Sequence, residues 1–399
     1  MPIKSVNDLD VSGKKVLVRV DFNVPLDDEC RVTDETRVVA AMPTIRDLVS
    51  RGARVILMSH LGRPKGKRVD SMSTEPVAAV LEKHLGATVV FGADCIGDPA
   101  CEAVESLKDG GVALLENLRF HEGEQANSVD FASKIACLGE VYVSDAFGTA
   151  HRAHASTDAV PRMMKERGAG FLLLKELDYL GRTLQKPEKP FVAILGGAKL
   201  KGKIDVIENL LPKVDRLLIG GGMMYTFLRA AGHEVGLSLV DEERIDMAAE
   251  TLRKAESEGV SLVLPTDCLV SDNVEEAGAT KVVSVEEIPK DLYGVDIGPE
   301  TVKRFAKAIV EAKTVVWNGP MGIFEIEEYA AGTSGVAKAV AGATAAGATS
   351  IVGGGDSVAA LKKAGVTEKI THVSTGGGAS LDFLAGKTLP GVAALEMGD

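Results

Sequence analysis

The chain has 399 residues, 45% hydrophobic and 26% charged, with 45 Lys and Arg against 57 Asp and Glu for a net charge of -12. That length exceeds one small core and predicts two domains, while the acidic balance argues against nucleic acid or an anionic membrane surface as the main partner. The opening stretch MPIKSVNDLD lacks the apolar core of a signal peptide, no run approaches the ~20 apolar residues of a bilayer span, and the expected location is the cytoplasm.

Short β-branched runs separated by helix-forming stretches predict βαβ units around buried parallel sheets. In chain order, the first half offers strands at VLVRV (centred on 17 to 20), RVILMS (54 to 59), TVVF (88 to 91), VALL (112 to 115) and VYVSD (141 to 145). Next comes GAGFLLLKELDYLGRTLQKPEKP, beginning at Gly168, in which Phe171, Leu174, Leu177 and Leu180 fall near helical spacing before Pro187 and Pro190. This predicts a helix joining two α/β domains. The second half offers FVAIL (191 to 195), RLLIG (216 to 220), LVLP (262 to 265), TVVW (314 to 317), SIV (350 to 352) and HVS (372 to 374). An Ala/Gly-rich stretch at 336 to 349 predicts a tightly packed helix and turn.

The expected fold class is α/β: two Rossmann-like, three-layer α/β/α domains with parallel sheets, joined by a hinge helix across a cleft. The expected segments are 1–169, an interdomain helix and hinge at 170–188, 189–380, and a C-terminal segment at 381–399. Five cysteines, Cys30, Cys95, Cys101, Cys137 and Cys268, form no C-x-x-C pair and are odd in number. They read as reduced thiols without an assigned function.

Open parallel sheets bind ligands beyond the carboxyl ends of their strands. In the first half those ends carry Asp21-Phe22-Asn23, then His60-Leu61-Gly62-Arg63, then Arg119, then His151-Arg152-Ala153-His154. Converging guanidinium forks suit a small, highly charged anion. Arg19 lies inside its strand and reads as structural.

In the second half glycine takes over the strand ends: ILGGAKLKGK with Gly196, Gly197, Lys199 and Lys203; LIGGGM; VVWNGPMG with Asn318, Gly319 and Pro320; IVGGGDS; and VSTGGGAS. Glycine lets the backbone approach phosphate closely, and a following helix offers N–H groups to it. The usual P-loop pattern and the G-x-G-x-x-G dinucleotide fingerprint are both absent. These strand ends read as the walls of a nucleotide site, in an enzyme such as a two-domain phosphotransferase or an NAD-dependent dehydrogenase, or in a non-catalytic nucleotide-binding regulator.

The assembled motifs resemble phosphoglycerate kinase along essentially the entire chain. They are VRVDFNVP from Val18, SHLGRP from Ser59, LLENLRFHEGE from Leu114, SDAFGTAHRAHAS from Ser144, ILGGAKLKGKID from Ile194, VVWNGPMGIFE from Val315, GGGDS from Gly353 and STGGGAS from Ser374. The resemblance implies reversible, Mg2+-dependent phosphoryl transfer between 1,3-bisphosphoglycerate and ADP, giving 3-phosphoglycerate and ATP. It also implies a monomer that acts by in-line transfer after domain closure, with the segment 381–399 packing back toward the first domain.

Residue by residue, it implies that Asp21, Phe22, Asn23, Arg37, His60, Leu61, Gly62, Arg63, Arg119 and Arg152 bind the triose. Nucleotide contacts are implied for Gly196, Lys199, Lys203, Gly294, Asn318, Pro320, Glu325, Gly353, Gly354, Gly355, Asp356 and Ser357. Catalytic roles fall to Arg37, Lys199, Gly354 and Gly377, and the metal to Asp356. A carboxylate beside phosphates repels them unless a cation intervenes; the alternative is that Asp356 only caps the helix that follows. Ser357 stands where many members have Thr, and the tail LPGVAALEMGD departs from the family pattern.

Overall fold

The computed structural model describes residues 3–396. Contacts divide the chain into two units, one running to Asp178 and resuming at Thr388, the other spanning Tyr179–Lys387. The division falls inside the helix Phe171–Gln185. Residues 397–399 of the expected C-terminal segment lie outside the described residues.

The first unit is built on six parallel strands: β1 (Lys15–Val20), β2 (Arg54–Met58), β3 (Val89–Gly92), β4 (Val112–Leu115), β5 (Val141–Asp145) and β6 (Glu166–Ala169), in the order β3-β4-β2-β1-β5-β6. Central strands such as β4 and β5 are buried throughout, as continuous apolar runs covered on both faces must be. The core gathers Val16, Val18, Val55, Leu57, Leu114 and Val143 from the strands with Ile45 and Leu48 from the helix Thr36–Ser50. Strand order reverses between β1 and β5, so the crevice for a ligand opens after Val20 and Asp145.

The second unit has a sheet of the same size: β7 (Phe191–Leu195), β8 (Arg216–Ile219) and β9 (Ser261–Val263) on one side, with three later strands on the other. Between these halves the chain forms a separate antiparallel sheet of β10 (Asp267–Ser271), β11 (Thr280–Ser284) and β12 (Tyr293–Ile297). The main sheet then resumes with β13 (Thr314–Asn318), β14 (Thr349–Gly353) and β15 (His372–Val373), giving the order β15-β14-β13-β7-β8-β9. Here the reversal lies between β7 and β13.

Three features differ from the sequence expectation. The small antiparallel sheet was not foreseen; its β11 is almost wholly exposed, so it carries no buried apolar run to announce it. Gly168 belongs to β6 rather than to the connecting helix, and a Cβ there would meet the Lys4 carbonyl at 2.7 Å. The helix itself begins at Phe171 and buries Leu173, Glu176, Leu180 and Thr183, a face offset from the predicted Phe171, Leu174, Leu177 and Leu180. Among the described residues no helix is long and apolar enough to cross a membrane.

Candidate active site

In the first unit, the turn after β1 and the turn after β2 are stitched together by their own polar side chains. The Phe22 amide donates to Ser59 Oγ at 2.8 Å, and the Gly62 amide donates to Asn23 Oδ1 at 2.8 Å. Arg37, at the start of the helix Thr36–Ser50, forms an ion pair with Asp21. Arg119 follows β4 in a short turn capped by Asn117, and its Nη1 donates to the Gly62 carbonyl at 2.8 Å. Asp21, Asn23, Arg37, Gly62 and Arg119 are therefore joined by direct contacts around one crevice.

Arg119 is buried, yet its Nε and Nη2 have no hydrogen-bond partner among the described residues. Burial, with Arg152 and Arg19 nearby, lowers its pKa to about 10, which leaves it fully charged at neutral pH. A buried guanidinium with two unsatisfied donors is costly unless an anion completes it.

His60 sits in the same electrostatic setting. Burial first, then Arg19, Arg119, Arg152 and Arg37, holds its pKa well below the usual histidine value. The ring is neutral, and its tautomer is fixed by Arg19, whose Nη2 lies 3.2 Å from Nδ1. A guanidinium only donates, so Nδ1 accepts and the proton resides on Nε2. Arg19, read from sequence as structural, is fully buried in β1 and is itself held by Ser156 Oγ at 2.7 Å, which donates to Glu124 Oε1 at 2.6 Å. Sequence pattern did not single out this supporting layer, because Arg19 interrupts a strand without standing at its end.

Arg152 is half-buried after β5, with Nε 3.1 Å from His151 Nε2. The arginines also act on His154, whose pKa falls to about 4 through burial and then Arg119. Leu61 is buried beneath the turn, whereas Arg63 is exposed.

In the second unit the glycines meet where strand order reverses. The Gly196 amide after β7 donates to the Asn318 carbonyl at 2.9 Å. Gly319 has φ +95, and a Cβ there would collide with the Gly196 backbone, so the closeness of the two strand ends requires glycine. The Asn318 side chain donates to the Gly353 carbonyl at 2.9 Å and accepts from Lys203 Nζ. Ser357 Oγ, fully buried, accepts from the Gly319 amide at 2.6 Å. Burial lowers the Lys203 pKa to about 8, opposed by the nearby Asp356 carboxylate.

Gly354 (φ 93) is the N-cap of the helix Gly355–Lys363, and Gly377 (φ 51) that of the helix Gly378–Leu384. Each presents the N-terminal N–H groups of its helix at a strand end. Asp356 lies in the first turn of its helix, and no side chain caps that end. Its exposed carboxylate is a donor of the kind a hard divalent cation takes, and it makes no capping hydrogen bond. Lys199 is exposed at the start of a short turn.

Beside this network opens a cavity of about 500 Å3, lined by Gly294, Pro320, Glu325 and Asp356 and also by Tyr225, Leu237, Leu239, Val274 and Tyr293. Lys199, Lys203, Asn318 and Ser357 are not among its lining residues. Its mostly apolar wall suits a flat heterocycle, and its mouth borders the glycine turns. At its inner end Asp296 accepts hydrogen bonds from the Gly332 and Ile297 amides at 2.5 and 2.9 Å, yet burial raises its pKa to about 7. The apolar wall was not foreseen, since Tyr225 comes from the helix Met223–Ala230, Leu237, Leu239 and Val274 from loops and Tyr293 from the small antiparallel sheet, and these share no periodicity.

A family model described as phosphoglycerate kinase matches residues 6–387. Among curated relatives, the phosphoglycerate kinase of Chlorobium chlorochromatii is 55% identical over 396 residues, covering 99% of this chain and 100% of that protein. That of Chlorobium limicola is 53% identical over the same coverage. The solved structure of phosphoglycerate kinase from Coxiella burnetii superposes with a TM-score of 0.88 at 41% identity, covering 99% of both chains. The enzyme from Pyrococcus horikoshii gives 0.85 at 34% identity, covering 98% of both.

Proposed function

This chain belongs to the phosphoglycerate kinase family, and we propose that its arginine-lined crevice holds the triose while its glycine-walled cavity holds the nucleotide. The family reaction is reversible phosphoryl transfer between 1,3-bisphosphoglycerate and ADP, giving 3-phosphoglycerate and ATP, as a step of glycolysis. Arg119 carries the triose assignment: it is a buried cation with two donors lacking a protein partner. The 3-phosphate, with Arg63 and Arg152 as further cations, is the group we assign to it. Neutral His60 offers a hydrogen bond from Nε2 rather than a charge, and Asp21 and Asn23 orient the glycerate hydroxyl and carboxyl region.

On the nucleotide side, we assign the base to the apolar wall with Gly294 and Pro320, the ribose to Glu325, and the phosphates to Lys199, Lys203 and the turns Gly196, Asn318, Gly353 to Gly355 and Ser357. Asp356 would hold Mg2+, which supplies charge neutralisation to the nucleotide phosphates when bound.

In the ATP-forming direction, the bond between phosphorus and the acyl oxygen breaks, a bond to a terminal oxygen of ADP forms, and a carboxylate leaves. The attacking oxygen is already ionised and the carboxylate leaves without needing a proton, so neither a general base nor a general acid is required. The protein's work is positioning and charge stabilisation. Arg37 and Lys199 are assigned the charge spread over the transferring group, with the Gly354 and Gly377 turns supplying N–H groups. We further propose closure about the helix Phe171–Gln185 as the step that brings the substrates together. Small-angle scattering with both substrates saturating reports it, and unchanged dimensions would count against it.

The direct test is phosphoryl transfer from Mg-ATP to 3-phosphoglycerate, coupled to NADH oxidation through glyceraldehyde-3-phosphate dehydrogenase. No activity there overturns the assignment. A cytoplasmic monomer is the proposed working form, checked by cell fractionation and light scattering.

A further inference from the structure

The loop after β3 comes against the end of the short turn that carries Arg119. There the carboxylate of Asp94, the thiol of Cys95 and the imidazole of His121 place one ligand atom each within 4.8 Å of one another. Asp94 Oδ1 lies 2.7 Å from His121 Nε2 and also accepts from the Cys95 amide at 2.6 Å. The His121 ring is braced against Phe131, with centroids 5.3 Å apart. Cys95 is fully buried and forms the floor, while the Asp94 and His121 side chains are 38% and 29% exposed. One side of the triad therefore faces solvent.

We propose that Asp94, Cys95 and His121 form a three-ligand site for a borderline-soft divalent cation of the zinc type, with a fourth position open to solvent. Oxygen, sulfur and nitrogen donors together select such an ion over Mg2+, which prefers oxygen ligands alone. With the thiol ionised, the set carries two negative charges and balances a dication.

On binding, a metal–sulfur bond forms and the thiol proton leaves to solvent. The His121 proton moves from Nε2 to Nδ1 by exchange with water, leaving the ring neutral, and the Asp94 to His121 hydrogen bond is replaced by two bonds to the metal. Ligand bonds of ~2.0 to 2.3 Å at tetrahedral angles ask for donor separations of roughly 3.3 to 3.6 Å. The oxygen and nitrogen then part by about half an ångström, and the sulfur already lies within 4.8 Å of both. Burial, with Asp94 and Glu124 nearby, raises the Cys95 thiol well above its usual range, so at neutral pH the metal must displace the proton, and affinity rises with pH.

The test is a Co2+ titration of the full chain, stripped of metal and free of nucleotide. It is done in a background with the more accessible Cys30, Cys101 and Cys137 changed to Ser, followed by Zn2+ competition. Expected are one equivalent bound with a thiolate-to-cobalt charge-transfer band, about one proton released per metal, loss of the band in Cys95→Ser, and at least tenfold weaker binding in His121→Gln. Absence of the band, or an affinity unchanged by His121→Gln, overturns the site. Because His121 is partly exposed, that variant decides the matter even where Cys95→Ser fails to fold by circular dichroism.

Discussion

Lys203 donates from Nζ to the side-chain carbonyl of Asn318. Asn318 ends β13, so the amine is held beside the glycine turns by a residue that also supports the Gly353 turn. With its pKa lowered to about 8 by burial, this lysine titrates within reach of neutrality. It is charged below pH 8 and loses the charge as pH rises through that value. Nucleotide affinity is expected to fall above pH 8, and nucleotide binding near pH 8 should take up protons, because the anion raises the amine's pKa. Calorimetry in buffers of different ionisation enthalpy measures the uptake. In Lys203→Ala the uptake should vanish, and nucleotide binding should weaken more than triose binding; the opposite order would mean that the ligands are assigned to the wrong units.

Substitutions at Arg119 and Arg37 are expected to separate binding from chemistry. Arg119→Lys removes the fork and with it at least one charged hydrogen bond worth about 1.5 to 3 kcal/mol. KM for 3-phosphoglycerate should rise roughly 10- to 100-fold, with nucleotide affinity unchanged. Arg37→Ala should instead lower kcat by ~10³ or more, by analogy with arginines that stabilise a transferring phosphoryl group. Equal losses of KM and kcat in both variants would argue against the division.

Asp356→Asn keeps the size of the side chain and removes its charge. Since no side chain caps that helix end, stability should change little. The magnesium concentration for half-maximal activity should rise, read from initial rates across a magnesium series. Near-normal activity with unchanged magnesium dependence would return Asp356 to a purely local role.

Asp145, at the end of β5, accepts from the Leu172 and Leu173 amides at 2.9 and 3.2 Å and so anchors the first turn of the helix Phe171–Gln185. Its Oδ2 is buried without a partner, and burial raises its pKa to about 7 from 3.8. The unfolded chain gives up this proton first as pH rises. Its stability contribution is therefore full below pH ~4, is lost between pH ~4 and 7, and stays flat beyond, by a few kcal/mol at about 1.4 kcal/mol per pH unit. Asp145→Asn should remove that slope. Thermal unfolding at pH 5 and pH 8 should show the variant gaining on the wild type at the higher pH; a parallel response would sink the idea.

Much of this molecule can be read from its strand ends. VALL, VYVSD and FVAIL fall within β4, β5 and β7 to the residue, because strands buried on both faces are continuous apolar runs. β6, reading ERGA, and the exposed β11 carry no such run, and so they escape pattern reading. Charged side chains after the strands were legible for the same topological reason that makes them useful. The wall formed by Tyr225, Leu237, Leu239 and Val274 was not, because a cavity assembled from one helix and separate loops leaves no period in the sequence. Asp94 and His121 likewise meet only through the packing of β3 against β4.

The first unit also contains the chain's late segment: the Gly391 amide donates to the Ala150 carbonyl at 2.9 Å, and Leu395 is fully buried. A ribosome delivers this segment only after residues 179–387 have emerged. The second unit is contiguous in the message and can finish folding while still tethered, whereas the first must wait, missing a piece of its packing, until the segment from Thr388 has emerged. A premature stop just before Thr388 would therefore injure the part of the protein that was made first.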